Sequence, residues 1–199
     1  MSCRRGDRVG VFGGTFDPVH VGHLVTAVNV RHELRLDRVL LVPANQPWQK
    51  ADRQLTHAED RYAMVEAAVA DVLGLEGSRI EIDRGGVSYT ADTLAALLQA
   101  DPHCSLFVIL GSDAAAGLPT WERADEVKKQ ATLVVVTRPG AEDEGPPEGW
   151  DCVRVEVPRL EVSSTDLRRR FVDGRPLDYL ITEPVIHVIR ERRLYADAR

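Results

Sequence analysis

Short, nearly unbroken runs of Val, Leu and Ile, each followed by residues at helical spacing, constrain this chain more than any other feature. Arg8–Phe12 (RVGVF), Arg38–Val42 (RVLLV), Ser105–Leu110 (SLFVIL) and Thr132–Thr137 (TLVVVT) are apolar at almost every position, the pattern of strands covered on both faces. Arg79–Asp83 (RIEID) and Cys152–Val157 (CVRVEV) read as two further strands. Between them, Gly22–Leu34, Thr56–Leu73 and Thr90–Ala100 carry apolar residues at helical intervals, with Leu94, Leu97 and Leu98 on one face of the third. Thr56-His57-Ala58-Glu59 is a capping-box sequence and sets the expected start of the second helix. Repeated βα units call for a parallel sheet with right-handed crossovers. The expected fold class is therefore α/β, an open doubly wound parallel sheet with helices on both faces. Ser163–Asp173 and Glu183–Arg193 read as two short helices after the last strand, Gly174 ending the first.

The chain has 199 residues, of which 44% are apolar and 28% charged. That length suits one domain, 1–199, with 163–199 as a small C-terminal helical segment. The composition excludes a disordered class, and no apolar run nears the roughly 18 residues of a spanning helix. The N-terminus has arginines but no apolar core, so no signal peptide is expected. Cys3, Cys104 and Cys152 are odd in number and far apart, which fits a reducing, cytoplasmic setting. A net charge of −6 argues against a nucleic-acid-coating surface but leaves room for a small positive phosphate site. Gly140–Gly149 (GAEDEGPPEG) reads as a solvated loop.

In a doubly wound sheet, ligands bind beyond the C-terminal ends of the strands, so the first loop draws attention. Phe12-Gly13-Gly14-Thr15-Phe16-Asp17-Pro18-Val19-His20-Val21-Gly22-His23-Leu24 follows the first strand and opens the first helix. Two glycines let backbone approach a ligand closely, and the helix start presents N–H groups to an anion. The loop is neither GxGxxG nor GxxxxGK[ST]. In place of the lysine stand His20 and His23, neighbours at i, i+3, with Gly22 between them leaving room for a phosphate or base. A metal pair is the alternative, with only Asp17 as a further ligand. Asp17, followed by Pro18, can instead fix the loop.

GGTFDPVHVGHL resembles the signature of the nucleotidyltransferase superfamily with the HxGH motif, and most closely bacterial nicotinate-nucleotide adenylyltransferases. The resemblance runs along almost the whole chain. Pro47-Trp48-Gln49-Lys50 is similar to that family's loop after the second strand, where many members have histidine at the Gln49 position. Ser88-Tyr89-Thr90-Ala91-Asp92-Thr93-Leu94 matches its SYTxDTL segment, Gly111-Ser112-Asp113 and Trp121 its G-x-D and downstream Trp, and Val162-Ser163-Ser164-Thr165-Asp166-Leu167-Arg168 its ISSTxIR motif.

The resemblance implies a Rossmann-like fold and transfer of AMP from ATP to nicotinate mononucleotide, giving nicotinate adenine dinucleotide and pyrophosphate. It implies His20, His23, Lys50 and Arg168 as the catalytic donors. It assigns ATP to Gly13, Gly14, Thr15, Phe16, His20, Gly22, His23, Gly111, Asp113, Ser163, Ser164, Thr165 and Arg168, and the pyridine nucleotide to Thr90, Trp121, Asp113 and Lys50. Mg²⁺ is expected on the ATP phosphates, with no protein metal ligand. No nucleic acid or membrane partner is expected, and a homo-oligomer is left open. The loop Pro43–Arg53, with Pro, Asn, Gln and the isolated Lys50, is expected to act as a lid. Glu122, beside Trp121, is expected to turn its side chain away from a pyridine carboxylate.

Overall fold

The computed structural model describes residues 6–47, 55–137 and 149–195. Eight strands and eight α-helices follow one another along these residues. They are β1 (Arg8–Gly14), α1 (Val21–Glu33), β2 (Arg38–Pro43), β3 (Gln46–Pro47), α2 (Ala58–Val69), β4 (Leu75–Gly77), α3 (Ile80–Arg84), β5 (Val87–Ser88) and α4 (Thr90–Ala100). There follow β6 (Ser105–Gly111), α5 (Ser112–Ala116), a 3₁₀ turn at Leu118–Thr120, α6 (Ala124–Gln130), β7 (Ala131–Thr137), β8 (Cys152–Glu156), α7 (Ser164–Asp173) and α8 (Glu183–Glu191). Six strands form one sheet in the order β4-β2-β1-β6-β7-β8, and every pair is parallel. Strand order therefore reverses between β1 and β6, the switch point where such sheets bind ligands.

The unbroken apolar runs are explained by two cores. Val39, Leu41, Phe107, Ile109, Val134 and Val136 face one side with residues of α1, α2, α7 and α8. Val9, Val11, Leu40, Val42, Leu106, Val108, Leu110, Leu133 and Val135 face the other with α4, α5 and α6. Successive residues point to opposite faces and both faces are buried, so no polar residue interrupts the run.

Two expectations fail. The third strand of the sheet is Leu75–Gly77, and Arg79–Asp83 is not a strand. Ile80–Arg84 makes a helical turn, in which Arg79 Nε meets Asp83 at 3.1 Å while its other nitrogens grip Glu59 on α2 at 2.7 and 2.8 Å. The i, i+4 pair stabilises a helix, and the buried residue of the segment is Glu81 rather than either isoleucine. The second helix begins later than Thr56 and stops before Leu73. His57 is its N-cap, accepting from Glu59 N–H at 3.4 Å, because Thr56 N–H is turned to Asp17 Oδ2 at 3.3 Å. The helix ends at Val69, and Leu73 is exposed. The other expected strands and helices fall within two residues of expectation at each end, β3, β5, α5 and α6 were not foreseen, and Ser163 caps α7 by accepting Asp166 N–H at 3.2 Å.

At the centre of the sheet, β1 contains Gly10 where its neighbours carry branched side chains. A Cβ there would lie 2.9 Å from Val39 Cγ2 and 3.0 Å from Ile109 Cδ1 and Leu36 Cδ1. The glycine lets the two flanking strands close over β1. Gly10→Ala should destabilise the protein by about 1–3 kcal/mol through overpacking, seen as a lower urea midpoint at unchanged m-value. An unaltered midpoint would mean that the three neighbours can yield.

Candidate active site

β1 carries Gly13 and Gly14 as its last paired residues, so they end the strand instead of forming the expected turn; the chain then passes through Thr15-Phe16-Asp17 and enters α1 at its N-cap, His20. Phe16 takes a positive φ of 51° and its ring lies against Gly14, whose Cβ would meet it at 2.8 Å. That is why Gly14 is glycine. No atom lies within 4 Å of a Cβ built on Gly13, so its backbone faces open space. Phe16 is 2% exposed and meets His23 edge-on at 4.9 Å, so its ring supports the site from beneath and only its backbone can reach a ligand.

His20 and His23 stack with ring centroids 3.7 Å apart. His23 Nδ1 accepts the backbone N–H of His20 at 3.2 Å, which leaves the proton of the neutral ring on Nε2 as a donor. Gly22 makes room chiefly for protein: a Cβ there would meet Val162 at 3.0 Å and the His20 ring at 3.1 Å. The missing side chain lets Val162, two residues before α7, pack against the start of α1. Two bonds join α7 to the first loop, Ser164 Oγ–H to Pro18 O at 2.9 Å and Arg168 Nη1–H to Asp17 O at 2.7 Å. Arg168 Nη2 also reaches Thr165 Oγ1 at 3.5 Å. The N-termini of α1 and α7 are thus locked side by side, and their partial positive ends add.

Beneath this junction lies a buried network that sequence reading missed, save for the loop-fixing role of Asp17. Arg61 on α2 is 1% exposed, and its guanidinium donates to Thr56 O at 2.8 Å, Thr15 O at 2.9 Å and Asn45 O at 3.2 Å. Burial pushes its pKa down, opposed chiefly by the charge of Asp17. Asp17, 3% exposed, accepts from Tyr195 O–H at 2.6 Å and from Thr56 N–H. Asn45 passes the connection on, its N–H bonded to Ser88 Oγ at 2.8 Å and its amide to Gly86 O at 2.9 Å. Arg61 read from the sequence is one charged residue on an amphipathic helix, and no spacing marks it.

On the other side of Gly13 is a cavity of about 280 Å³, walled by β1, β6 and the start of α4. It brings together the expected Gly13, Gly14, Thr15, Thr90 and Trp121 with Glu81, Ser88, Thr93 and Glu122, which were not assigned a binding role. Trp121 packs partly on the core, and its Nε1–H is buried without an acceptor among the described residues. Arg123 ties the Trp121–Glu122 segment to α4 through Asp92 and grips Glu126 at 2.8 and 2.6 Å. Glu81 is 7% exposed, and its Oε1 accepts from Thr93 O–H at 2.6 Å. Glu122 is exposed and belongs to the residues that line the cavity. Gly111 and Asp113, at the end of β6 and in α5, are exposed and outside the cavity wall. Lys50 and Gln49, and with them most of the Pro43–Arg53 lid, lie outside the described residues.

Residues 11–170 match the model of the cytidylyltransferase-like family. The chain is 47% identical over 191 residues to the probable nicotinate-nucleotide adenylyltransferase of Corynebacterium kroppenstedtii, covering 94% of this chain and 90% of that protein. It is 46% identical to the probable nicotinate-nucleotide adenylyltransferase of Streptomyces coelicolor, covering 92% and 98%. The fold is shared with the Plasmodium falciparum nicotinic acid mononucleotide adenylyltransferase solved in complex with NaAD, at a TM-score of 0.79 and 18% identity over 95% of this chain and 97% of the other.

The network under the loops makes two expectations. Arg61→Met strands three carbonyls and should cost about 3 kcal/mol or more, measured by denaturation. Tyr195→Phe strands one carboxylate oxygen and should cost about 1–3 kcal/mol near neutral pH. The Tyr195 phenol is raised above its ordinary 10.0, by burial first and Asp17 second. Below that value folded and unfolded chains both keep the proton; above it only the unfolded chain releases it, so stability falls. The advantage of wild type over Tyr195→Phe should therefore shrink from about pH 9 to about pH 11. A constant gap would remove Tyr195 from the buried network.

Proposed function

We propose how the residues act on one premise: the chain belongs to the cytidylyltransferase-like family and, within it, to the nicotinate-nucleotide adenylyltransferases. It is a nucleotidyltransferase that moves AMP from ATP to nicotinate mononucleotide. A phosphate oxygen of the mononucleotide attacks the α-phosphorus of ATP, the new P–O bond forms, and the bond to pyrophosphate breaks. The attacking oxygen is already anionic near neutral pH, so the protein supplies alignment and charge neutralisation rather than a base.

The observation that carries this reading is the junction of α1 and α7. The stacked His20 and His23 and the residues Ser163, Ser164, Thr165 and Arg168 come together there, Ser164 and Arg168 bonded back to Pro18 O and Asp17 O and Ser163 capping α7. We assign the triphosphate to this junction, with His23 Nε2–H donating to charge that grows on the departing pyrophosphate. The helical segment 163–199 completes the phosphate site on this reading, and Lys50 is kept as a triphosphate ligand from the family motif. Gly111 and Asp113 are assigned to the ATP ribose side. Magnesium enters on the triphosphate as part of the ATP substrate and keeps most of its waters. Among the described residues no three His, Cys, Asp or Glu gather into a cage, and we name no protein ligand.

The neighbouring cavity takes the pyridine nucleotide, its ring against Trp121 and its carboxylate at the first turn of α4, where Thr90 begins the helix. A cytoplasmic enzyme fits this chemistry. No described helix is long and apolar enough to cross a membrane.

His23→Ala should lower kcat by about 10²-fold or more, with KM for ATP little changed, in steady-state pyrophosphate release. A raised KM at full kcat would reduce His23 to a binding residue. Backbone donors at α4 suit a carboxylate and clash with an amide NH₂, so kcat/KM should favour nicotinate over nicotinamide mononucleotide by at least about 10²-fold. Equal use of the two would withdraw the placement of the acid group at α4.

A further inference from the structure

We propose that the carboxylate of Glu81 recognises the positive charge of the N-ribosylated pyridine ring, and so acts as a specificity-determining residue. This rests on the reading that the cavity takes the pyridine nucleotide. Ribosylation makes the ring nitrogen quaternary, so the bound ring is a flat cation, whereas a 1,4-dihydropyridine with the same substituents is uncharged. The cavity wall holds a feature that suits only the cation. Glu81 is 7% exposed, lines the cavity, and among the described residues accepts one hydrogen bond, from Thr93 O–H at 2.6 Å. It forms no ion pair among the described residues.

A buried carboxylate is costly unless a positive charge compensates it. Two arginines stand near, and neither forms an ion pair with Glu81 among the described residues. Arg84 Nη1 lies 3.3 Å from the hydroxyl of Thr93, and Arg61, which senses the charge of Glu81, has its guanidinium on three carbonyls. Trp121 lines the same cavity, so a ring seated there can meet an aromatic face and an anion together. Glu122 also lines it but is exposed, where solvent and salt screen its charge. The Thr93 hydroxyl holds the Glu81 carboxylate in place, since a charge-assisted bond of this length leaves it little freedom.

The test compares nicotinate mononucleotide with its 1,4-dihydro form as acceptor in wild type, Glu81→Gln and Glu81→Asp. Wild type should favour the charged ring in kcat/KM by about tenfold or more. Glu81→Gln keeps an acceptor for Thr93 and removes the charge, so the preference should fall to within about threefold, through a higher KM for the charged acceptor at unchanged KM for ATP. Glu81→Asp keeps the charge and should stay nearer wild type. Equal preference in wild type and Glu81→Gln, or a collapse in Glu81→Asp as complete as in Glu81→Gln, would overturn the proposal. Wild type that turns over neither acceptor would instead overturn the underlying reading of the cavity.

Discussion

A parallel sheet delivers its chains to one edge and then abandons them: where strands end, carbonyls lose their ladder partners while still inside the protein. Arg61 resolves this at the edge that matters. One guanidinium, almost fully buried, takes the carbonyls of Thr15, Asn45 and Thr56, three segments far apart in sequence. A planar group with five donors can do this where lysine cannot. Because Thr15 belongs to the loop before α1 and Asn45 holds Ser88 and Gly86, the loop that enters α1 and the cavity beside α4 share one anchor.

Asp17 completes that anchor from the opposite sign. Its side chain holds Tyr195 and Thr56, and its carbonyl holds Arg168. The C-terminal helices are therefore not an appendage. Leu167, Ile181, Val185, Ile186 and Ile189 share a core with α1 and α2, Leu180 O accepts Val21 N–H at 3.1 Å, and Arg192 meets Asp60 at 2.7 Å. The first loop is fixed between the start and the end of the chain.

Electrostatically the site has two characters separated by Gly13 and Gly14 at the end of β1. Towards α1 and α7 it offers helix ends, histidines and an arginine, all donors. Towards α4 and β6 it offers a largely apolar cavity with the buried Glu81 among its lining residues. Such a division suits a reaction that joins a highly anionic nucleotide to one whose ring is a cation.

What the sequence alone determined was whatever depends on neighbours along the chain. Doubly covered strands declare themselves as unbroken Val, Leu and Ile, the two glycines and the paired histidines stand in one segment, and the SST cap is followed by its helix. Local pattern misled at Arg79–Asp83, because alternation looks like a strand whether the buried residue is Ile or, as here, Glu81. The unrecognised parts were those that chain distance hides. Arg61, Tyr195 and Glu81 have no motif, since their meaning lies in partners 46, 178 and 12 positions away. Only the tertiary structure could decide these, because hydrogen bonds and buried charge are settled by which groups are left without water, and that is a property of the packed molecule.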